Sequence, residues 1–408
     1  MRPLEGIKIL DFTQTHAGSL GTMQLADFGA EVIKVERPGV GDLARYWAPF
    51  KDGESGYFAY LNRNKKSISI NGFTPEGKEI IYKMVKDVDI VCNNFKYGSM
   101  EKMGFDYETL RKINPKIIYA SLNGFGQSGV MKNNVGLDIH LQAMSGMMDR
   151  TGFPEGPPTR VGAALGDHIS GNYMAIAINL ALIHRDMTGE GQMIDIAILD
   201  SLVSIMEDGP VLAQFGSGAP ARSGNRYLST APYDTFKTKD GYLALAVTTE
   251  RQWKTFCKSL NREDLIEDPA FSNNDMRELN YEAKLKPALE TIFADWEAAA
   301  LEETLSADGI SCSKVNSVSE VMDLEQVKAR NVIQTVQDTR LGPIQYPGPV
   351  IRLSKTPGQI MTPAPELGAD SKYYLSKFGY TDEEIKSFIE AGVVEATPKN
   401  TNAEGEVK

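Results

Sequence analysis

The chain has 408 residues, with 43 Lys or Arg against 54 Asp or Glu and a formal net charge of −11. Its 42% hydrophobic and 24% charged composition is that of a globular protein long enough to bury a core without staples. That excludes the collagenous and disordered classes. No dense basic run offers a nucleic-acid footprint, and no apolar stretch approaches the roughly 18 residues that span a bilayer.

The first forty residues read as a βαβ unit. Ile7-Lys8-Ile9-Leu10-Asp11-Phe12 is an apolar, β-branched run suited to a buried strand. A polar turn follows over 13–19. The segment 22–28 has helical spacing of apolar residues and is stopped by Gly29. Glu31-Val32-Ile33-Lys34-Val35-Glu36 is a second strand, at a distance right for a parallel crossover. The pattern then repeats. Strands are expected at 67–70, 88–92 and 116–121. A helix opens at Thr74-Pro75, with Thr74 as N-cap and Pro75 in the first turn, and another covers 107–112. Strands alternating with helices predict an α/β fold with a mainly parallel sheet.

Further on, the Ala-, Ile- and Leu-rich segment 171–184 reads as a buried helix, and 193–197 as a strand. The composition turns to Gly, Ser, Ala and Pro near 214. The expected division is a large domain over 1–213, a linker at 214–229, a small domain at 230–316, a linker at 317–340, and a return to the large domain over 341–408, with 341–349 as a crossing stretch. In the small domain, 235–238, the turn Lys239-Asp240-Gly241 and 242–247 form a strand–turn–strand pattern, with helices at 252–260 and 282–293. C-terminal helices are expected at 370–378 and 382–390.

Three widely separated cysteines, Cys92, Cys257 and Cys312, without CxxC spacing, predict neither a disulfide framework nor a zinc site. They fit a reducing cytoplasm, as does an N-terminus without a signal-peptide core. Cys92, at the end of an apolar strand, is expected to be an inert thiol. Gly124-Phe125-Gly126-Gln127-Ser128-Gly129 matches GxGxxG after a strand, but 130–136 does not open the helix a dinucleotide site requires. The turn Thr13-Gln14-Thr15-His16-Ala17-Gly18 is a better nucleotide candidate, because it stands at the carboxyl end of a strand. Arg37, just past the second strand, can grip a phosphate with its fork of donors or remain a solvated surface residue. The histidines His16, His140, His168 and His184 have no metal-ligand spacing, and a lone histidine is usually structural. His16 stands where it would line a ligand. No GxSxG serine is present. The densest chemistry lies in Thr159-Arg160-Val161-Gly162-Ala163-Ala164-Leu165-Gly166-Asp167-His168. There a single carboxylate, Asp167, sits between a small-residue run and an apolar helix. By pattern alone, a helix N-cap is the commoner role for such an aspartate.

The segment from Gly156-Pro157-Pro158-Thr159 to Ala163-Ala164-Leu165-Gly166-Asp167 resembles the catalytic region of the family III CoA-transferases, which include formyl-CoA:oxalate, acetyl-CoA:oxalate and carnitine CoA-transferases. The segments 4–13 and 29–39 resemble that family's opening. Asn94-Phe95, Met103-Gly104-Phe105-Asp106, Thr188-Gly189-Glu190-Gly191-Gln192 and Gly224-Asn225-Arg226 add to the likeness, which runs from about residue 4 to about 394. It implies a Rossmann-like large domain built from both ends of the chain, a smaller α+β domain in the middle, and an interlocked homodimer.

By the same resemblance, Asp167 matches the catalytic aspartate, which attacks an acyl-CoA thioester and carries CoA as an aspartyl thioester. CoA and acyl-CoA are substrates, and no permanent cofactor, metal, nucleic acid or membrane is implied. Gln14, Thr15, His16 and Ala17 match the loop beside the pantetheine arm, and Arg37 a nucleotide-binding arginine. Ile70, Asn71, Gly72 and Phe73, with Asn94, Phe95 and Lys96, fall where the family holds adenosine. Lys102 falls at a further CoA contact. Two departures shape the expected activity. The related α-methylacyl-CoA racemases use a Gly-His-Asp histidine, where this chain has Gly136-Leu137-Asp138 and no proton shuttle. The four-glycine run of formyl-CoA:oxalate transferases is missing between 216 and 247. The expected function is therefore transfer of CoA from an acyl-CoA to a small carboxylate, oxalate-like, with Arg160, Arg222 and Arg226 as candidate carboxylate clamps. The alternatives are a racemase or epimerase and a non-catalytic acyl-CoA-binding protein.

Overall fold

The computed structural model describes residues 1–206, 208–216 and 222–397. They fall into two compact units. The described parts of 1–147, 161–207 and 326–408 form the first, and those of 148–160 and 208–325 the second.

The first unit is built on a seven-stranded sheet of β1 (Lys8–Asp11), β2 (Glu31–Glu36), β3 (Lys66–Ile70), β4 (Ile90–Asn93), β5 (Ile118–Asn123), β6 (Met193–Ala197) and β7 (Val394–Glu395). The strand order is β7-β3-β2-β1-β4-β5-β6, with β1 to β6 parallel and β7 antiparallel on β3. Successive side chains of a strand point to opposite faces. Thus Leu10, Ile33 and Val91 pack into one layer, with the helix Pro75–Val85 and the C-terminal helices, while Ile9, Val32 and Ile90 pack into the other. The strand order reverses between β1 and β4. The carboxyl ends at such a point open a crevice for ligands.

The helices of this unit include α1 (Ala17–Asp27), α2 (Pro75–Val85), α3 (Ser99–Met103), α4 (Tyr107–Ile113), α5 (Asp138–Met144), α6 (Leu165–Thr188) and α7 (Ile198–Ser204). Thr74 caps α2, accepting the Gly77 N–H, with Pro75 in the first turn as expected. No helix opens on the 124–129 glycine loop.

The segment expected as a buried helix at 171–184 belongs to a longer one, and only one side of it is covered. Ser170, Gly171, Met174, Ala175, Ile178, Ala181 and Leu182 are buried, whereas Tyr173, Ile176, Leu180, Ile183 and Met187 stand exposed. An apolar composition records only that both faces avoid charge, not what covers each of them.

The second unit holds an antiparallel sheet of Tyr233–Lys237, Tyr242–Ala246 and Ser311–Lys314. Phe236, Leu243, Trp253, Phe256 and Phe293 meet in its core. Its extent differs from the sequence reading: 148–160 and 208–213 belong here rather than to the first unit, as do the described part of 214–229 and 317–325, expected as linker. The segments read as linkers also carry structure. Ile333–Asp338 pairs antiparallel with Gly342–Pro347, and short helices cover Val318–Asp323 and Glu325–Ala329. Of the 214–229 segment, 217–221 lies outside the described residues.

Candidate active site

The loop that leaves β1 is held from beneath by buried charge. Lys34 Nζ donates to the Thr13 carbonyl at 2.7 Å and pairs with Asp42 Oδ2 at 2.7 Å, both side chains having 0% exposure. Asp42 Oδ1 accepts the Thr15 and Ala44 N–H groups, each at 2.8 Å. Thr15 has φ of 57°, a left-handed turn that ordinary residues adopt only when other bonds enforce it. On the other side, the Asn94 side chain clasps Gln14 twice, accepting its N–H at 2.8 Å and donating to its carbonyl at 2.7 Å. Asp11, paired with the buried Lys65 at 3.1 Å, accepts both the N–H and the hydroxyl of Thr13. The loop 13–16 is therefore pinned on three sides before it enters α1.

Helices α1 and α6 touch backbone to backbone. A Cβ on Gly171 would lie 2.6 Å from the Ala17 carbonyl oxygen, and one on Gly21 would lie 2.9 Å from that of Gly171. Only glycines allow so close a seam. It sets the first turns of the two helices side by side. His16 occupies the N-cap of α1 and His168 the first turn of α6, and their Nε2 atoms come within 3.0 Å. Burial lowers His16 to about 4, with His168 adding to the fall and Asp138 opposing it. His168 is lowered by burial against the same opposition.

Asp167 lies in the first turn of α6 rather than at its N-cap, which is Ala164 and forms no side-chain cap. The capping group comes from another helix. Asp138 Oδ1 accepts the Gly166 N–H at 2.8 Å and lies 3.4 Å from the Asp167 nitrogen. Asp138 is in turn steadied by the buried Gln142, whose amide nitrogen donates to Oδ2 at 2.6 Å and whose oxygen accepts the Val161 N–H at 2.9 Å. Burial, reinforced by the Asp138 charge, raises the Asp167 carboxyl to about 7. One carboxylate thus completes a helix terminus, while the other, Asp167, is left desolvated with its carboxyl well above the usual range.

A cavity of about 320 Å³ opens at the carboxyl ends of β1, β2 and β3. Of the residues selected from sequence, Gln14, Arg37, Ile70, Asn71, Gly72, Phe73, Phe95 and Lys102 line it. Ile70 is buried and Phe73 exposed, and Arg37 and Lys102 are exposed cations at its wall. Thr15, His16 and Ala17 carry the same loop away from the cavity toward His168, so one short turn joins the cavity to the Asp167 helix. Asn94 acts through Gln14 and does not line the cavity. Lys96 lines a neighbouring cavity of about 200 Å³ with Tyr97, Tyr107 and Tyr119.

Sequence reasoning missed Phe12, Val35, Ser99, Met103 and Phe105 on the first cavity's wall, and it missed Asp138 as the cap. The Met103-Gly104-Phe105-Asp106 motif was the available signal for two of them. Leu137 is 62% exposed, and His140 turns its Nδ1 back to the Leu137 N–H at 3.3 Å, so neither places an imidazole beside Asp167. Two of the candidate carboxylate clamps are already engaged by carboxylates of this chain. Arg226 pairs with Glu278 at 2.6 Å and Glu282 at 3.2 Å, and Arg222 with Asp149 at 3.3 Å. Cys92 is fully buried, which pushes its thiol well up and makes it a poor nucleophile. Among the described residues, no group of three His, Cys, Asp or Glu side chains could hold a metal ion, and no helix is long and apolar enough to cross a membrane.

A model of CoA-transferase family III matches residues 4–371. The chain is 38% identical over 397 residues to succinyl-CoA:glutarate CoA-transferase of Mus musculus, covering 97% of this chain and 91% of that one. It is 36% identical over 353 residues to acetyl-CoA:oxalate CoA-transferase of Acetobacter aceti, covering 86% and 89%. Among solved structures it resembles a CAIB/BAIF family protein from Brucella suis, with a TM-score of 0.85, 33% identity, and 92% of this chain and 99% of that one covered. Together with a mixed α/β fold on a mostly parallel sheet, these likenesses make the chain a member of CoA-transferase family III.

Proposed function

We propose that the chain moves CoA from a short acyl-CoA to a small dicarboxylate through an aspartyl-CoA thioester on Asp167. The observation that carries this reading is the placement of Asp167, a partly desolvated carboxylate in the first turn of a 24-residue helix. The positive end of that helix favours its anion while burial sharpens its reactivity. The Asp167 oxygen attacks the acyl carbonyl, and the carbon–sulfur bond breaks to give a mixed anhydride and CoA thiolate. The thiolate then attacks the aspartyl carbonyl and expels the first acid as a carboxylate, leaving the aspartyl thioester. The incoming carboxylate repeats both steps in reverse. Thioester energy is conserved throughout, so the cycle needs no ATP.

In this reading, CoA lies in the β1–β3 cavity. Gln14, Thr15, His16 and Ala17 follow the pantetheine arm. Arg37 and Lys102 meet the phosphates, Ile70, Asn71, Gly72, Phe73 and Phe95 surround the adenosine, and Asn94 contributes by holding Gln14. Oxalate is the acceptor favoured by the sequence and glutarate the one named for the mouse relative, so acetyl-CoA and succinyl-CoA are the donors of choice. We place the enzyme in the cytoplasm, with a Rossmann-like large domain and an interlocked homodimer. Tyr173, Ile176, Leu180, Ile183 and Met187 recur along α6 at alternating steps of three and four, which is a stripe that a second helix can cover. Light scattering that gives one copy of 44.8 kDa rather than two would remove the dimer.

Intact-protein mass spectrometry after incubation with acetyl-, succinyl- or formyl-CoA tests the reaction, with hydroxylamine and borohydride trapping beside it. The expected result is an adduct that Asp167→Asn lacks and that one dicarboxylate of a panel discharges. α-Proton exchange without an adduct would favour a racemase. CoA binding with neither would favour a binding-only protein.

A further inference from the structure

The imidazoles of His16 and His168 face each other Nε2 to Nε2 at 3.0 Å, although 152 positions separate them in the chain. Two nitrogens at that distance share one proton. When both rings are neutral, they are locked into opposite tautomers. One ring spends its proton on the shared bond and keeps a bare Nδ1, while the other accepts the bond and carries its proton on Nδ1. The pair therefore leaves one Nδ1–H donor and one Nδ1 lone pair between its two rings, and it cannot present two lone pairs.

The pair is also placed deliberately. It is brought together by the glycine seam of α1 and α6, a contact any larger residue would open. It stands where the N-termini of two helices of 11 and 24 residues converge, so the surrounding field favours an anion. Asp138, whose Oδ1 lies 2.8 Å from the Gly166 nitrogen and 3.4 Å from that of Asp167, is the carboxylate whose charge acts on both rings and on Asp167. Arg222 and Arg226 are already engaged by carboxylates in their own unit.

We propose that His16 and His168 act as one unit that recognises the carboxylate of the acid exchanged at Asp167, its Nδ1–H donating to a carboxylate oxygen. The inference rests on the assignment of Asp167 as nucleophile. The unit meets the acid where the pantetheine arm ends beside His16, while the β1–β3 cavity binds the nucleotide. The lowered affinity of both rings for protons keeps the unit neutral near pH 7, so it offers a donor without the ion pair that would bind product too tightly. No proton is transferred in the exchange; the donor follows the oxygen from free carboxylate to anhydride and back.

The test uses the full-length protein with oxalate and glutarate as acceptors. First, the trapped Asp167 adduct is measured in the wild type. Its absence would overturn the nucleophile and, with it, this role for the pair. With the adduct established, His168→Phe is expected to raise the acceptor KM at least tenfold while the Kd for CoA changes less than twofold and the adduct still forms from acyl-CoA. His168→Gln, which retains an N–H donor, is expected to recover part of the loss. An acceptor KM unchanged within twofold in both variants would overturn the proposal and leave Asp167 untouched. A second readout survives poor folding of either variant. Long-range nitrogen–proton spectra of wild-type protein labelled only at its four histidines are expected to show two rings in opposite neutral tautomers at pH 7, perturbed by oxalate. Two rings in the same tautomer, or no response to saturating acceptor, would overturn it.

Discussion

Asp138 reaches from the start of α5 to within 3.4 Å of the backbone nitrogen of Asp167, and its Oδ1 accepts the Gly166 N–H at 2.8 Å. The same carboxylate thus caps the helix that carries Asp167 and adds to the rise of the Asp167 pKa. Activity limited by attack of Asp167 is therefore expected to rise with pH through about 7. Asp138→Asn keeps an acceptor for Gly166 but removes the charge, so the rising limb of a kcat/KM profile should move to lower pH. A limb that stays in place in Asp138→Asn would show that burial alone sets it.

The same shift has a consequence for stability. Folding raises the Asp167 pKa from an ordinary 3.8 to about 7, so the folded state holds a proton that the unfolded chain has lost. Stability attributable to this group falls as pH rises through that window. Asp167→Asn removes the cost. Its Tm is expected to exceed that of the wild type at pH 8, with the difference narrowing toward pH 4. Equal melting curves at both pH values would contradict this.

Gly171→Ala tests the helix seam. The new methyl would press on the Ala17 carbonyl, where the available distance is 2.6 Å. Overpacking of this kind costs about 1–3 kcal/mol. Because the strain falls between the turns carrying His16 and His168, turnover should drop by more than stability alone accounts for, measured as kcat in folded protein against the urea midpoint.

Asp42→Ala takes from the fully buried Lys34 the carboxylate it pairs with at 2.7 Å, leaving the more distant Asp11 and Glu36 as its remaining counter-charges. Breaking a buried pair from one side costs about 3–5 kcal/mol. It also frees the Thr15 N–H and relaxes the left-handed turn. CoA affinity measured by calorimetry should weaken along with stability. A stable variant that binds CoA normally would show that the Asn94 clasp suffices for the loop.

Arg37→Ala and Lys102→Ala address the cavity rim. Each is expected to weaken CoA binding about tenfold at low salt with little change in Tm, because both cations stand exposed. The double variant should show a flatter dependence of Kd on salt.

Much of this was legible in the sequence where the signal is local. The β1–α1–β2 opening, the Thr74-Pro75 start of α2 and the glycine loop that opens no helix all depend on neighbours a few positions apart. What was not legible depends on distant ones. Val394 pairs with Ile70, and His16 meets His168, only after the whole unit has folded. Asp167 looked like a cap because its own neighbours suggest one, yet the cap is supplied from 29 positions upstream. Arg222 and Arg226 looked free because Asp149, Glu278 and Glu282 are not their neighbours in sequence.

The short strand β7 carries a consequence for how the protein is made. Its partner is β3, the Val393 carbonyl accepts the Asn71 N–H at 2.8 Å, and Glu395 accepts the Gly39 N–H at 2.7 Å from 356 positions downstream. Asn71 belongs to the cavity wall, and Gly39 is two residues past Arg37. On the ribosome, a growing chain can lay down β1 to β6 and the layer that packs α1 against α6 before this edge is sealed, whereas the layer holding Tyr374, Leu375 and Ile385 waits for the C-terminal helices. The cavity wall at Asn71 is completed only when β7, far downstream in the sequence, pairs with β3. A chain truncated before β7 would lack the backbone partner of Asn71 and leave that stretch of the cavity wall unsealed.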